Sequence, residues 1–148
     1  MKKLLAMSLL AVCSHHAFAQ MESFDEIFHT GEESEKVAES MMQEVMMSVM
    51  TAAMANGGKE IDEKEVAQKM FQGMSKHAEP LKAAMQKDCA AEEDAKACAC
   101  FYDQVDLKEM FSALERAVVN AKSEEDVDKL MRPYMEGVEA KKAQCKLD

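Results

Sequence analysis

Four cysteines, Cys89, Cys98, Cys100 and Cys145, lie in the C-terminal half of this 148-residue chain and limit its folds more than any other feature. A disulfide needs Cα atoms roughly 4.4–6.8 Å apart, so two bridges would hold distant segments side by side. A fifth cysteine, Cys13, has a different setting. The chain opens with Lys2 and Lys3, an apolar run from Leu4 to Val12, and the small-x-small triplet Ala17-Phe18-Ala19. This reads as a secretory signal peptide over residues 1–19, cut after Ala19. Lipid attachment at Cys13 would need a small residue before it, and Val12 stands there. Cleavage removes Cys13 and leaves an even number of cysteines in an exported chain, which is the arithmetic of two disulfides. The expected localisation is periplasmic or secreted.

Residues 20–148 have the length of one domain. They are dominated by Ala, Met, Glu and Lys, all good helix formers, and contain no run of β-branched residues alternating with polar ones. The expected fold class is all-α: a small disulfide-stapled helical bundle of four to five helices in a single domain, 20–148. Asn56-Gly57-Gly58 is a helix stop. Asp62 with Glu65 is a capping-box-like start, and Asp106 with Glu109 and Ser123 with Asp126 are two further N-terminal caps. Pro80 marks a break near Glu79, and Pro133 kinks or restarts the last helix. Helices are expected near 32–55, 62–78, 80–88, 92–121 and 124–146, with a break allowed between Asp103 and Asp106. Phe24, Ile27 and Phe28 could form a short amphipathic piece ahead of them.

Helical azimuth suggests the cysteine pairing. Leu107, Phe111, Leu114 and Val118 share one helix face, and Cys100 joins that stripe if the helix continues through Asp106. Val127, Met131, Tyr134, Val138 and Cys145 share a face of the last helix. In a hairpin turning near Lys122 and Ser123, opposed positions sum to about 245, which sets positions 100 and 145 level. That favours Cys100–Cys145 with Cys89–Cys98. Cys98–Cys145 with Cys89–Cys100 shifts the register by only about 3 Å and is the rival pairing. A redox-active Cys98-Ala99-Cys100 would need a cationic setting, whereas Asp94 and Asp103 flank it. The spacing also departs from that of structural zinc modules.

The stretch from Glu39 to Met54 carries six methionines. Met42, Met46, Val49, Met50 and Ala53 line one side of a helix; Val37, Met41, Val45 and Ala52 line an adjacent stripe. An apolar surface wider than about 100° puts this helix at the centre of the bundle, in contact with several neighbours, or leaves a strip for something else to cover. Met47, on the polar side with Gln43 and Ser48, points to a surface contact. A strip of Met42, Met46, Met47, Met50 and Met54 would suit a partner protein, a second copy of the chain or an apolar ligand, because thioethers adapt to differently shaped surfaces. The alternative is Cu(I), which thioethers also favour, with Met42, Met46 and Met50 joined by Met74 and His77.

The charge balance excludes some partners. Without the leader the chain has 28 acidic residues against 16 basic ones, which argues against nucleic acid and favours a basic protein partner. No segment is long and apolar enough to span a bilayer. There is no phosphate loop or dinucleotide fingerprint, and neither His29 nor His77 has a nucleophile context. His29 reads as a turn residue and His77 as a helix C-terminal residue. No catalytic residue, cofactor or favoured metal emerges. The expectation is a non-catalytic protein-interaction module of the inhibitor, immunity-factor or chaperone type, with Cu(I) handling or carriage of an apolar small molecule as alternatives.

Overall fold

The fold is set by where helices can start and stop. The computed structural model describes residues 28–55, 57 and 62–147. The expected signal peptide (residues 1–19), residues 20–27, Asn56 and Gly58 lie outside the described residues, as does the expected amphipathic piece except Phe28. Six helices are described: α1 (Glu32–Ala55), α2 (Glu63–Lys76), α3 (Ala78–Glu92), α4 (Ala95–Gln104), α5 (Leu107–Asn120) and α6 (Glu124–Gln144). There is no strand among the described residues.

Short polar side chains supply most of the starts. Asp62, Asp94, Asp106 and Ser123 each accept a backbone N–H of the following helix, from Lys64, from Lys96 and Ala97, from Glu109, and from Asp126 respectively. Each pairs a donor that helix geometry would leave free. The caps also account for the helix count, six where four to five were expected. The span 92–121 is two helices and its break is complete: Val105 is extended, and Asp106 begins α5. Glu92 and Glu93 close α3 instead of opening the next helix. The break between α2 and α3 falls at His77, which ends one helix and starts the other. Pro80 sits in the first turn of α3, where its missing N–H costs nothing. Pro133 lies inside α6, which runs on without interruption.

The core lies among α3, α4 and α5 and the end of α6. Its fully buried members include Phe28, Met85, Cys89, Cys98, Phe101, Tyr102, Leu107 and Val138. α5 packs on α2, α3 and α6, and α1 packs on α2 and α3. The reading that places the methionine helix at the centre is therefore corrected: α1 lies at the edge, and its apolar width reflects one buried face and one exposed face. Gly73 lets α2 approach it closely, since a Cβ there would stand 2.7 Å from Val45 Cγ2.

The disulfides are Cys89–Cys98, joining α3 to α4, and Cys100–Cys145, joining α4 to the end of α6. Two bridges fit an oxidising compartment. After Cys145 the chain closes in a Schellman-type turn. Lys146 takes a φ of 58°, its N–H donates to Ala143 O, and Leu147 N–H donates to Lys142 O. Leu147 is thereby turned into the core. No helix among the described residues is long and apolar enough to cross a membrane.

Candidate docking face

At 100° per residue, the buried positions of α1, Ser34, Met41 and Val45, fall within about 40° of one another. Met46, Met47, Met50 and Met54 fall on the opposite side, with Met42 on a flank. All five are exposed, from 46% at Met42 to 78% at Met54. From Val45 to Ala55 the sequence carries no charge, and Thr51 turns its hydroxyl back to Met47 O at 2.7 Å. Towards the N-terminus the same outer side carries Glu32, Glu35 and Glu39 with a single cation, Lys36, which pairs with Glu32 at 2.8 Å and Glu33 at 3.5 Å. The outer surface of α1 is thus thioether at one end and acidic at the other.

The N-terminus of the helix is capped by a side chain from another element. Asp88 on α3 accepts Ser34 N–H at 2.8 Å and Glu33 N–H at 3.1 Å, so it caps α1 from across the fold. Ser34 is buried and closes the turn locally: its hydroxyl accepts from Gly31 N–H and donates to Gly31 O. Gly31 has to be glycine, because a Cβ would stand 2.9 Å from Asp88 Cγ. Burial alone would raise the Asp88 pKa, but hydrogen bonding at the start of α1, including the Ser34 and Glu33 backbone N–H groups, outweighs it and lowers the pKa. No local spacing signals this contact, since its partners are 54 and 55 residues apart.

A testable consequence follows from the sign of that shift. A carboxylate with a depressed folded pKa stabilises the fold above its unfolded pKa, and the effect is lost as pH falls through the folded value. Asp88→Ala should cost about 1–2 kcal/mol at pH 7, the range for losing an N-cap. Urea unfolding at pH 7 and at several acidic values should show the gap between variant and native protein narrowing once pH drops below 3.8, the ordinary aspartate value. A gap that stays constant with pH would show that the ionised carboxylate is not what holds α1.

Beneath α1, Phe28, Phe101 and Tyr102 form an aromatic knot, with ring centroids 5.0 Å apart for Phe101 and Tyr102 and 6.0 Å for Phe28 and Phe101. The Tyr102 hydroxyl accepts His29 N–H at 3.2 Å, and burial pushes its phenol pKa well up. The His29 ring carries Nδ1 buried without a hydrogen-bond partner. Tyr134 donates to Asp106 O at 3.1 Å, and its phenol is likewise raised, by burial first and then by Glu109 and Asp106.

The donors named for Cu(I) are divided. His77 Nε2 meets Glu44 Oε2 at 2.9 Å, and Glu44 is about 200° around α1 from both Met42 and Met46. Met74 packs against the core. Among the described residues no group of three or more His, Cys, Asp or Glu could hold a metal. A shallow hollow of about 240 Å³, lined by Ala113, Arg116, Ala117, Asn120 and Leu130, is smaller than the roughly 300–1,000 Å³ of ligand sites. Cys98 is fully buried and bridged to Cys89, and Cys100 is bridged to Cys145, so neither is a free thiol. Compared with protein family models, curated proteins and solved structures, the chain has no significant match in any of the three.

Proposed function

We propose that the chain is an exported, non-catalytic interaction module that docks a protein partner on the outer side of α1. The observation that supports this is the exposure of four thioethers, Met46, Met47, Met50 and Met54, on one charge-free stretch of a peripheral helix, with Met42 exposed beside it. Isolated apolar residues on a surface are ordinary, but a contiguous patch of this kind marks an interaction site. Its chemistry specifies the partner: a segment with one apolar side to lie along Met46, Met47, Met50 and Met54, and a basic end to meet Glu32, Glu35 and Glu39. An amphipathic helix laid on a methionine-rich surface is a recurring mode of peptide recognition, and the acidic balance of the whole chain would speed encounter with a basic segment. The signal peptide and the two disulfides support a periplasmic or secreted setting.

The test uses the oxidised native protein, an environment-sensitive hydrophobic dye and a synthetic amphipathic peptide with a lysine-rich end. Both probes should bind. Met46→Glu with Met50→Glu should weaken peptide binding by at least about tenfold, roughly 1.4 kcal/mol. Because the sites are exposed, stability should stay within about 0.5 kcal/mol of native. Peptide binding unchanged in the double variant would sink the assignment of α1. Absence of dye binding would rule out a chaperone-like form, which needs an adhesive apolar surface.

A further inference from the structure

We propose that α1 is also a site of reversible oxidation, at which its exposed thioethers take up one oxygen atom each from a peroxide and become sulfoxides while the domain stays folded. The argument begins with which groups a peroxide could reach. Thiolates ordinarily react first, but all four described cysteines are in disulfides. The chain has no tryptophan, and Tyr102 is buried. Met41, Met85 and Met110 are 5%, 2% and 4% exposed and Met70, Met74 and Met135 are partly buried, whereas Met46, Met47, Met50 and Met54 are 59%, 64%, 60% and 78% exposed. The accessible, oxidisable sulfur of the described residues is therefore concentrated on one helix face.

The step balances without a cofactor. The thioether sulfur gives an electron pair to one oxygen of hydrogen peroxide, the O–O bond breaks as the S–O bond forms, and the proton of the transferred oxygen passes through solvent to the other oxygen, which leaves as water. Sulfur is oxidised by two electrons and the peroxide is reduced by two. Each event turns a flexible apolar side chain into a polar, chiral one, which a sulfoxide reductase can restore. On a buried methionine this would break packing. On the outer side of α1 it replaces solvent-facing apolar surface with solvent-facing polar surface, so the fold has no reason to yield. Where the docking face of the preceding section is in use, on which this consequence rests, sulfoxides would release the partner.

The experiment treats the native protein with hydrogen peroxide and follows each methionine by peptide mapping, with circular dichroism on the same samples. Met46, Met47, Met50 and Met54 should oxidise at least about tenfold faster than Met41, Met85 and Met110, with the helical signal and the unfolding midpoint retained. Equal rates across the two groups, or loss of the helical signal in step with oxidation of α1, would overturn the proposal. The lysine-rich peptide is then titrated against untreated and treated protein and against a Met46→Leu, Met47→Leu, Met50→Leu, Met54→Leu variant. Leucine keeps the surface apolar and removes the sulfur, so the variant should bind before and after peroxide, whereas the native protein should bind at least about tenfold more weakly after treatment. Undiminished binding by treated native protein overturns the release step. Failure of the untreated protein to bind counts against the docking face, and the mapping result still decides whether α1 is an oxidation site.

Discussion

Replacing Cys100 and Cys145 with alanine should lower the unfolding free energy by about 4 kcal/mol, against about 2.5 kcal/mol for replacing Cys89 and Cys98. The difference comes from loop closure in the unfolded chain. The first bridge joins residues 45 apart in sequence and the second joins residues nine apart, and the longer loop removes more unfolded-state entropy. The Cys100–Cys145 bridge also has a side-chain contact of its own. Gln104 Nε2 reaches Cys145 Sγ at 3.1 Å and Cys100 O at 3.3 Å, and Leu147 is buried just beyond it. Against a net stability on the order of 5–15 kcal/mol, the loss should bring the melting temperature down by roughly 10–15 °C. Calorimetry on the two double variants, both without reductant, makes the comparison. A short-loop pair that costs as much as the long-loop pair would refute the entropic account.

Phe101→Ala should cost about 3–5 kcal/mol, the range for truncating a buried phenylalanine. Phe101 is 0% exposed and is the ring shared by the two closest aromatic contacts, to Tyr102 and to Phe28. It is also the residue after Cys100, on a helix pinned near its middle by two bridges, at Cys98 and Cys100. Those bridges restrict how far α4 can shift to fill the space, so the cavity should persist and the cost should fall in the upper half of the range. Urea titration of Phe101→Ala and Phe101→Leu reads this directly. A loss below about 2 kcal/mol for the alanine variant would show that the core collapses around the gap, which a close-packed, stapled interior should not permit.

How much of this could be read in the residues depends on the distance over which each cause acts. Caps are local. Asp62, Asp106 and Ser123 each lie within three residues of the N–H they accept, so the sequence indicates these starts. The break at Val105 is less legible: Asp106 marks a start, but no glycine or proline within one turn before it forces the preceding helix to stop. The break also removes the continuous helix used to bring Cys100 onto the stripe of Leu107 and Phe111. α4 and α6 nevertheless meet at Cys145, because the Cys100–Cys145 contact depends on α4 and α6 rather than on α5. The position of α1 was not legible, because a helix buried on all sides and one with an exposed apolar face have the same wide hydrophobic pattern. The neighbours settle the matter, and α1 has them on one side only. The Asp88 cap was missed for a similar reason: a carboxylate that serves a helix 54 residues away looks in sequence like any solvated acid.

The placement of the two bridges divides the molecule by connectivity. From Cys89 onward the backbone closes into two rings joined through Ala99, one running from Cys89 to Cys98 and the other from Cys100 to Cys145. A protease that cuts after Lys122, in the turn between α5 and α6, would leave every atom of this half in one covalent piece. α1 and α2 lie outside both rings and are held to the body without a covalent cross-link, by packing, the Asp88 carboxylate and the contacts of Glu44 with His77 and Glu33 with Lys87. The half of the chain that bears the methionine face is therefore an open arm on a closed loop. A cut anywhere in that arm frees its outer piece, which then stays on the body only by noncovalent contacts such as the packing of Met41 and Val45.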